Sequence, residues 1–299
     1  MKDNPVLLRE LIVRSRSFRF PLIVFVFNGI LAAAAMLNMF SVVAQIRISA
    51  NIQYASFLKL YVFVATLEFL LLMFIMPALT SAGISGERER QTLDLLFTTQ
   101  MTSWQIIMGK LISAFSQLLL LVVSSFPVML LTFGYGGVDF ADLALLLVCF
   151  VTVAMFTGGV GILSSSFMKR SNFSNVCTYG ILLTVVVGTY MLNQFALHMS
   201  QLKINGLTPE PGEMLPKADS GAAVYLLLLN PVVTFSEIME NQVSGSESIL
   251  SLGQFLGSRP ENLVTEHWTL FSLAVQLVLA AIFVSAAVYF LNPAGRDKR

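Results

Sequence analysis

Charge is scarce in this chain of 299 residues: 12% are Asp, Glu, Lys or Arg, against about 25% in an average soluble domain, and 56% are hydrophobic. That balance excludes a water-soluble globular fold and predicts an integral membrane protein. Cysteine is limited to Cys149 and Cys177, both in or beside apolar runs, which leaves no disulfide framework and no thiolate metal site. Histidine is limited to His198 and His267, with no His-Glu-x-x-His pair and no nucleophile elbow, so a membrane-embedded hydrolase has no motif to rest on. The run Thr157-Gly158-Gly159-Val160-Gly161 lacks the Lys followed by Ser or Thr of a phosphate loop. The chain is therefore expected to hold no metal or cofactor of its own and not to be an enzyme. Its first 19 residues interleave charge with apolar residues and lack the apolar core of a cleavable signal, so the N-terminus is expected to be retained.

Long apolar runs are what the chain has in quantity. Six can cross a hydrocarbon layer of about 30 Å as helices, at 20–44, 57–80, 108–133, 143–167, 176–197 and 268–291. Lys and Arg crowd one set of connections: Lys2, Arg9, Arg14, Arg16, Arg19, Arg88, Arg90, Lys110, Lys169, Arg170, Arg296, Lys298 and Arg299. The other set holds only Arg47, Lys59, Lys203, Lys217 and Arg259. The positive-inside rule then puts both termini in the cytoplasm. Ahead of the first span, Asn4-Pro5 reads as a helix start, with Leu7, Leu8, Leu11, Ser15 and Phe18 on one face. This predicts an interfacial helix over 1–19. The segment 198–267 becomes an external loop. Its apolar part, Ala222 to Met239, is interrupted by Asn230-Pro231 and reads as an interfacial or partly re-entrant helical pair, because a seventh crossing would carry Arg296, Lys298 and Arg299 outside. The expected fold is all-α, a single transmembrane domain over 1–299 with six spans.

One dense polar block stands between the second and third spans. Glu87, Arg88, Glu89, Arg90 and Asp94 put five charges within eight residues, which keeps them out of hydrocarbon. Leu93, Leu96 and Phe97 recur at helical spacing, so a short helix over 86–99 would gather them on one face. Thr102 followed by Gln105 reads as a capping box, with Met101 and Ile106 as its staple, so the next helix should begin at Ser103.

Glu87-Arg88-Glu89, Thr92-Leu93-Asp94-Leu95-Leu96, Thr98-Thr99, Thr102, Gln105-Ile106 and Gly109-Lys110 together resemble the signature of six-span, type-two ABC exporter permeases. Gln91 stands where Gly is usual in that family, and Gln100 where many members have Pro, departures that bear on the turns more than on the helix. The Lys169-Arg170 turn and Leu229-Asn230-Pro231 also look like features of the family. The resemblance implies the transmembrane subunit of an ABC transporter, multi-pass in a bacterial inner or plasma membrane. It would export its substrate by alternating access, paired with a second permease as homodimer or heterodimer. ATP and Mg would be bound by separate ABC ATPase subunits, into which 86–99 inserts as the coupling helix. Leu93, Leu96 and Phe97 would fill the apolar part of the ATPase groove, and Glu87, Arg88, Glu89 and Asp94 would make its polar contacts. Membrane lipid is the other expected partner; nucleic acid is not among them. The low internal charge favours a hydrophobic or amphipathic substrate.

Glu68 lies about 16 Å into the second span, near mid-membrane, where an ionised acid is costly unless paired, hydrated or protonated. It is either a polar substrate or proton site, or a neutral acid bonded to a neighbouring helix through Asn28 or Gln276; these three are the candidate pathway residues. An ion-coupled carrier or channel using Glu68 is the alternative function, and a structural or sensory membrane subunit a third. The Met36/Met39 and Met73/Met76 pairs have soft-metal spacing but fall at different depths, about 24 and about 10 Å from the inner end, which favours packing. Trp104 and Trp268 read as aromatic anchors at opposite interfaces.

Overall fold

A computed structural model of the chain describes residues 18–49, 54–98, 101–136, 139–205, 218–243 and 262–291. The expected interfacial helix over 1–19 falls almost wholly outside the described residues, as do long parts of 198–267. Every regular element among the described residues is helical. In chain order these are α1 (Arg19–Ser49), α2 (Tyr54–Thr80), α3 (Ser85–Glu89), α4 (Leu93–Thr98), α5 (Ser103–Gly136), α6 (Phe140–Phe167) and α7 (Ser171–Leu183). A π-helical stretch, Thr184–Gly188, joins α7 to α8 (Thr189–Asn205). A 3-10 segment, Gly221–Leu229, then leads to α9 (Pro231–Val243), α10 (Leu263–Glu266) and α11 (Trp268–Leu291).

Six of these helical stretches are long and apolar enough to cross a membrane, counting Ser171 to Asn205 as one. Helix α5 starts at Ser103, five residues ahead of the apolar run expected from 108, because Thr102 and Gln105 initiate it in the polar block. The 3-10 segment and α9 are bent by 95° at Asn230, the position where the sequence interrupts its apolar run.

The described chain divides into two units within α7 and again within α11. In the first, Met1–Tyr179 with Leu279–Arg299, α2 packs on both α5 and α6, and α1 lies against α2 and α5. Helix α6 is the most enclosed, with 67% of its apolar window buried against 11% for α1. Its small residues explain this. A side chain at Gly158 would run into Met76 of α2, one at Gly161 would overlap Thr80, and one at Gly159 would press on Ala280 of α11. Rings of Phe156 and Phe283, and of Phe167 and Phe290, lie 5.9 and 6.1 Å apart along the α6–α11 seam.

The second unit, Gly180–Val278, has its own core of Val224, Leu227, Leu228, Val233 and Trp268. Val224 and Leu227 are three residues apart, so a helix of three residues per turn puts both on one buried face. Trp268, expected at an interface, is 2% exposed, because this face and Val233 cover it.

Candidate functional site

The polar block begins where α2 stops. Residues 81–84 form a turn closed by backbone bonds from Ser81, Gly83 and Gly86, which carries α2 on into α3. The first amides of α3 find an acceptor outside their own helix: Ile84 and Ser85 donate to Ser165 Oγ of α6 at 2.8 and 2.9 Å. Ser85 in turn donates to the Ser81 carbonyl at 3.1 Å.

Helix α3 ends in a Schellman motif. Gln91 donates to the Arg88 carbonyl and Thr92 to the Glu87 carbonyl, at 3.1 and 2.9 Å, with Gln91 at φ 57°. That left-handed position is the one where the resembling family usually has Gly. The stretch 86–99 is thereby divided into α3 and α4 rather than running as one helix.

The division sorts the block into two faces. Glu87 pairs with Lys110 of α5 at 3.1 Å, with side chains only 16% and 8% exposed, and its carboxylate also accepts from Thr92 Oγ1. Arg88 turns toward α6 and donates to the carbonyls of Ser166 and Met168, each at 2.7 Å. Leu93 is buried. Glu87, Arg88 and Leu93, expected to touch a partner, are thus engaged inside the chain. On the other face Glu89, Arg90 and Gln91 are exposed, and Leu96 is half-buried. The side chains of Asp94 and Phe97 lie outside the described residues. Beyond the last apolar turn, the Ser171 hydroxyl and N–H at 2.6 and 3.4 Å hold the Glu89 carboxyl below the usual carboxylate range.

Thr102 and Gln105 make both bonds of the expected capping box, at 3.0 and 3.3 Å. Trp104, just inside that start, is 49% exposed, as an interfacial anchor would be.

Glu68 is buried in α2 and meets α5, not Asn28 or Gln276: its Oε1 bonds Ser125 Oγ. That hydroxyl also lies 2.8 Å from the Val122 carbonyl. Glu68 Oε2 has no partner among the described residues. Asn28 of α1 donates to Ser124 Oγ, at 2.8 Å. Two candidate pathway residues therefore converge on adjacent serines of α5 and pin α1 and α2 to it.

The profile of a family described as "ABC-2 family transporter protein" matches residues 49–291. The chain belongs to that family. It is accordingly a multi-pass membrane component, the permease subunit of an ABC transporter, and membership implies an ABC ATPase subunit as partner. No curated protein matches it.

In this ABC-2 permease the third candidate, Gln276, belongs to a separate cluster in the second unit. Its Nε2 donates to Thr234 Oγ1 at 2.7 Å and lies 3.2 Å from Ser272 Oγ and 3.3 Å from the Leu228 carbonyl, which Ser272 also reaches. Asn230 supports the bend from the other side. Its amide donates to the Val186 carbonyl and Thr189 Oγ1 at 2.9 and 3.0 Å, and its Oδ1 accepts from Val232 N at 3.0 Å. Val186 lies in the π-helical stretch, whose widened turn opens carbonyls to an outside donor. Sequence reasoning missed Ser124, Ser125, Ser165, Ser171 and Ser272. Ser124-Ser125 could have been noticed as a pair in an apolar run, and Ser165 lies in the 164–166 run of small residues that suits a close helix approach; Ser171 and Ser272 carried no local signal.

Proposed function

We propose that this ABC-2 permease is the membrane half of an exporter driven by separate ATPase subunits, working as a dimer of permeases with both termini in the cytoplasm of a bacterial inner or plasma membrane. The chain hydrolyses no ATP; ATP and Mg stay on the partner. The observation that carries this reading is the two-faced polar block: Glu87, Arg88 and Leu93 are built into the spans, while Glu89, Arg90 and Gln91 remain exposed beside the half-buried Leu96. An exposed polar stretch followed by a half-buried leucine suits a groove on another subunit. The block acts as the coupling helix. Closure of the ATPases on ATP moves it, and its inner face transmits the movement to α2 and α5, switching the pathway between inward and outward openings. The Lys and Arg distribution supports the orientation, and a bundle with few internal ions suits a hydrophobic or amphipathic substrate. In this reading Glu68 and Asn28 serve helix pairing.

The test is to extract the tagged chain gently from native membranes and identify what co-purifies in a fixed ratio. A soluble subunit with a Walker sequence is expected, and Leu96→Asp is expected to lose it while insertion stays intact. A chain that instead transports alone, driven by an ion gradient and silenced by Glu68→Gln, would overturn the exporter in favour of an ion-coupled carrier.

A further inference from the structure

The route through α2 and α5 leaves one attachment of the polar block unused. Arg88 and Ser165 tie the block to the end of α6, and Glu89 ties it to Ser171 in the first turn of α7. The preceding turn is tied to the same place: Ser174 Oγ donates to the Ser81 carbonyl at 2.5 Å, and Ser81 Oγ bonds Asn175 Oδ1. Residues some 80 to 94 positions apart in sequence are thus joined on both sides of the α6–α7 turn.

We propose that the α6–α7 turn is a second output of the coupling block, and that Arg88 is the positioning residue that makes it move with the block. This rests on the docking reading above. The chemistry is specific to arginine. A helix C-terminus leaves its last carbonyls without intrahelical donors and carries partial negative charge, which a cation relieves. The planar guanidinium satisfies the Ser166 and Met168 carbonyls together at equal distance, whereas an ammonium is a point charge and cannot hold that fork. A two-point contact resists rotation as well as separation, so a tilt of α3 is passed to the end of α6. The Ser171 contact to Glu89 carries the same tilt into α7. Motion at the docking surface therefore reaches four membrane helices rather than two.

The test uses the intact permease–ATPase complex in liposomes, in a Cys149→Ala/Cys177→Ala background, with spin labels at Thr98 and Asn172, both exposed. With Arg88 in place, the inter-label distance should be single and unchanged by a non-hydrolysable ATP analogue. Arg88→Ala removes both charge-assisted bonds to the end of α6 and should raise the population at altered distances by about tenfold or more. The ATPase should still co-purify, and Arg88→Lys should restore the distribution only in part. Ser171→Ala breaks the other half of the link without touching Arg88 and should loosen the distance to a smaller extent. A nucleotide-dependent distance with Arg88 in place, or an unchanged distribution in both Arg88→Ala and Ser171→Ala, would overturn the proposal. Failure of the unsubstituted chain to retain any ATPase would instead overturn the docking reading on which it rests.

Discussion

Two of the breaks in the helical chain, at Arg90-Gln91-Thr92 and at Asn230, are held by opposite chemistry. The first is surrounded by ions: Glu87 meets Lys110, Arg88 meets carbonyls, and Glu89 meets Ser171. The second is held, among the described residues, by neutral amides and hydroxyls, from Asn230, Thr189, Thr234, Ser272 and Gln276. Exposure accounts for the difference. Asn230, Thr234, Ser272 and Gln276 are all at most 1% exposed, whereas Glu89 and Arg90 face outward. Amides and hydroxyls both donate and accept, so they can close a buried network without net charge. Ions are tolerated only where a partner or water completes their solvation. A break that must move against another protein can thus afford charge, and one enclosed by its own helices cannot.

The sharpest way to break this contrast is at Asn230. Asn230→Ala removes two donated bonds and the acceptor for Val232 N, and should destabilise the purified protein by about 3 kcal/mol. Thermal unfolding should show that loss equally at low and high salt; a salt-dependent loss would place an ion in the cluster. Lys110→Met leaves Glu87 with Thr92 as its nearest donor and should cost about 2 kcal/mol, more at low salt than at high. Adding Glu87→Gln should recover part of it; no recovery would mean that the pair contributes packing rather than charge. The smallest effect has the opposite sign. Gln91→Gly relieves a side chain held at φ 57° and should stabilise by about 1 kcal/mol, read as a raised melting temperature, and a fall would show that the left-handed turn is not adopted.

What was legible in the sequence was local. Thr102 and Gln105 are three residues apart and announce α5 by themselves, and Asn230-Pro231 announces a bend because proline lacks an amide and its predecessor avoids helical geometry. The glycine position at Gln91 was visible through family resemblance. The inner face of the block was not. Arg88 reads as one more surface charge until α6 is folded against it, and Ser165 is one of three consecutive serines with nothing in its neighbours to mark it as the acceptor for α3. Glu68 was conspicuous as a mid-span acid, yet its partner was misjudged: a serine carries too little character in sequence to compete with Asn28 or Gln276. Trp268 was misread for a related reason, since an aromatic at the start of an apolar run looks the same whether lipid or a 3-10 segment covers it.

The π-helical stretch also puts one extra residue into its span. A π turn advances less around the axis per residue than an α turn, so deleting one of Val185, Val186 or Val187 would let α7 and α8 merge into one regular helix while Thr189 to Asn205 kept nearly the faces they now present. Thr189 would still face Asn230, and Asn193 and Leu197 would stay buried, but the carbonyl in the π stretch that Asn230 reaches would be drawn back into the α-helical ladder. The extra residue therefore serves the carbonyl it frees for Asn230 rather than the register of the 35-residue span.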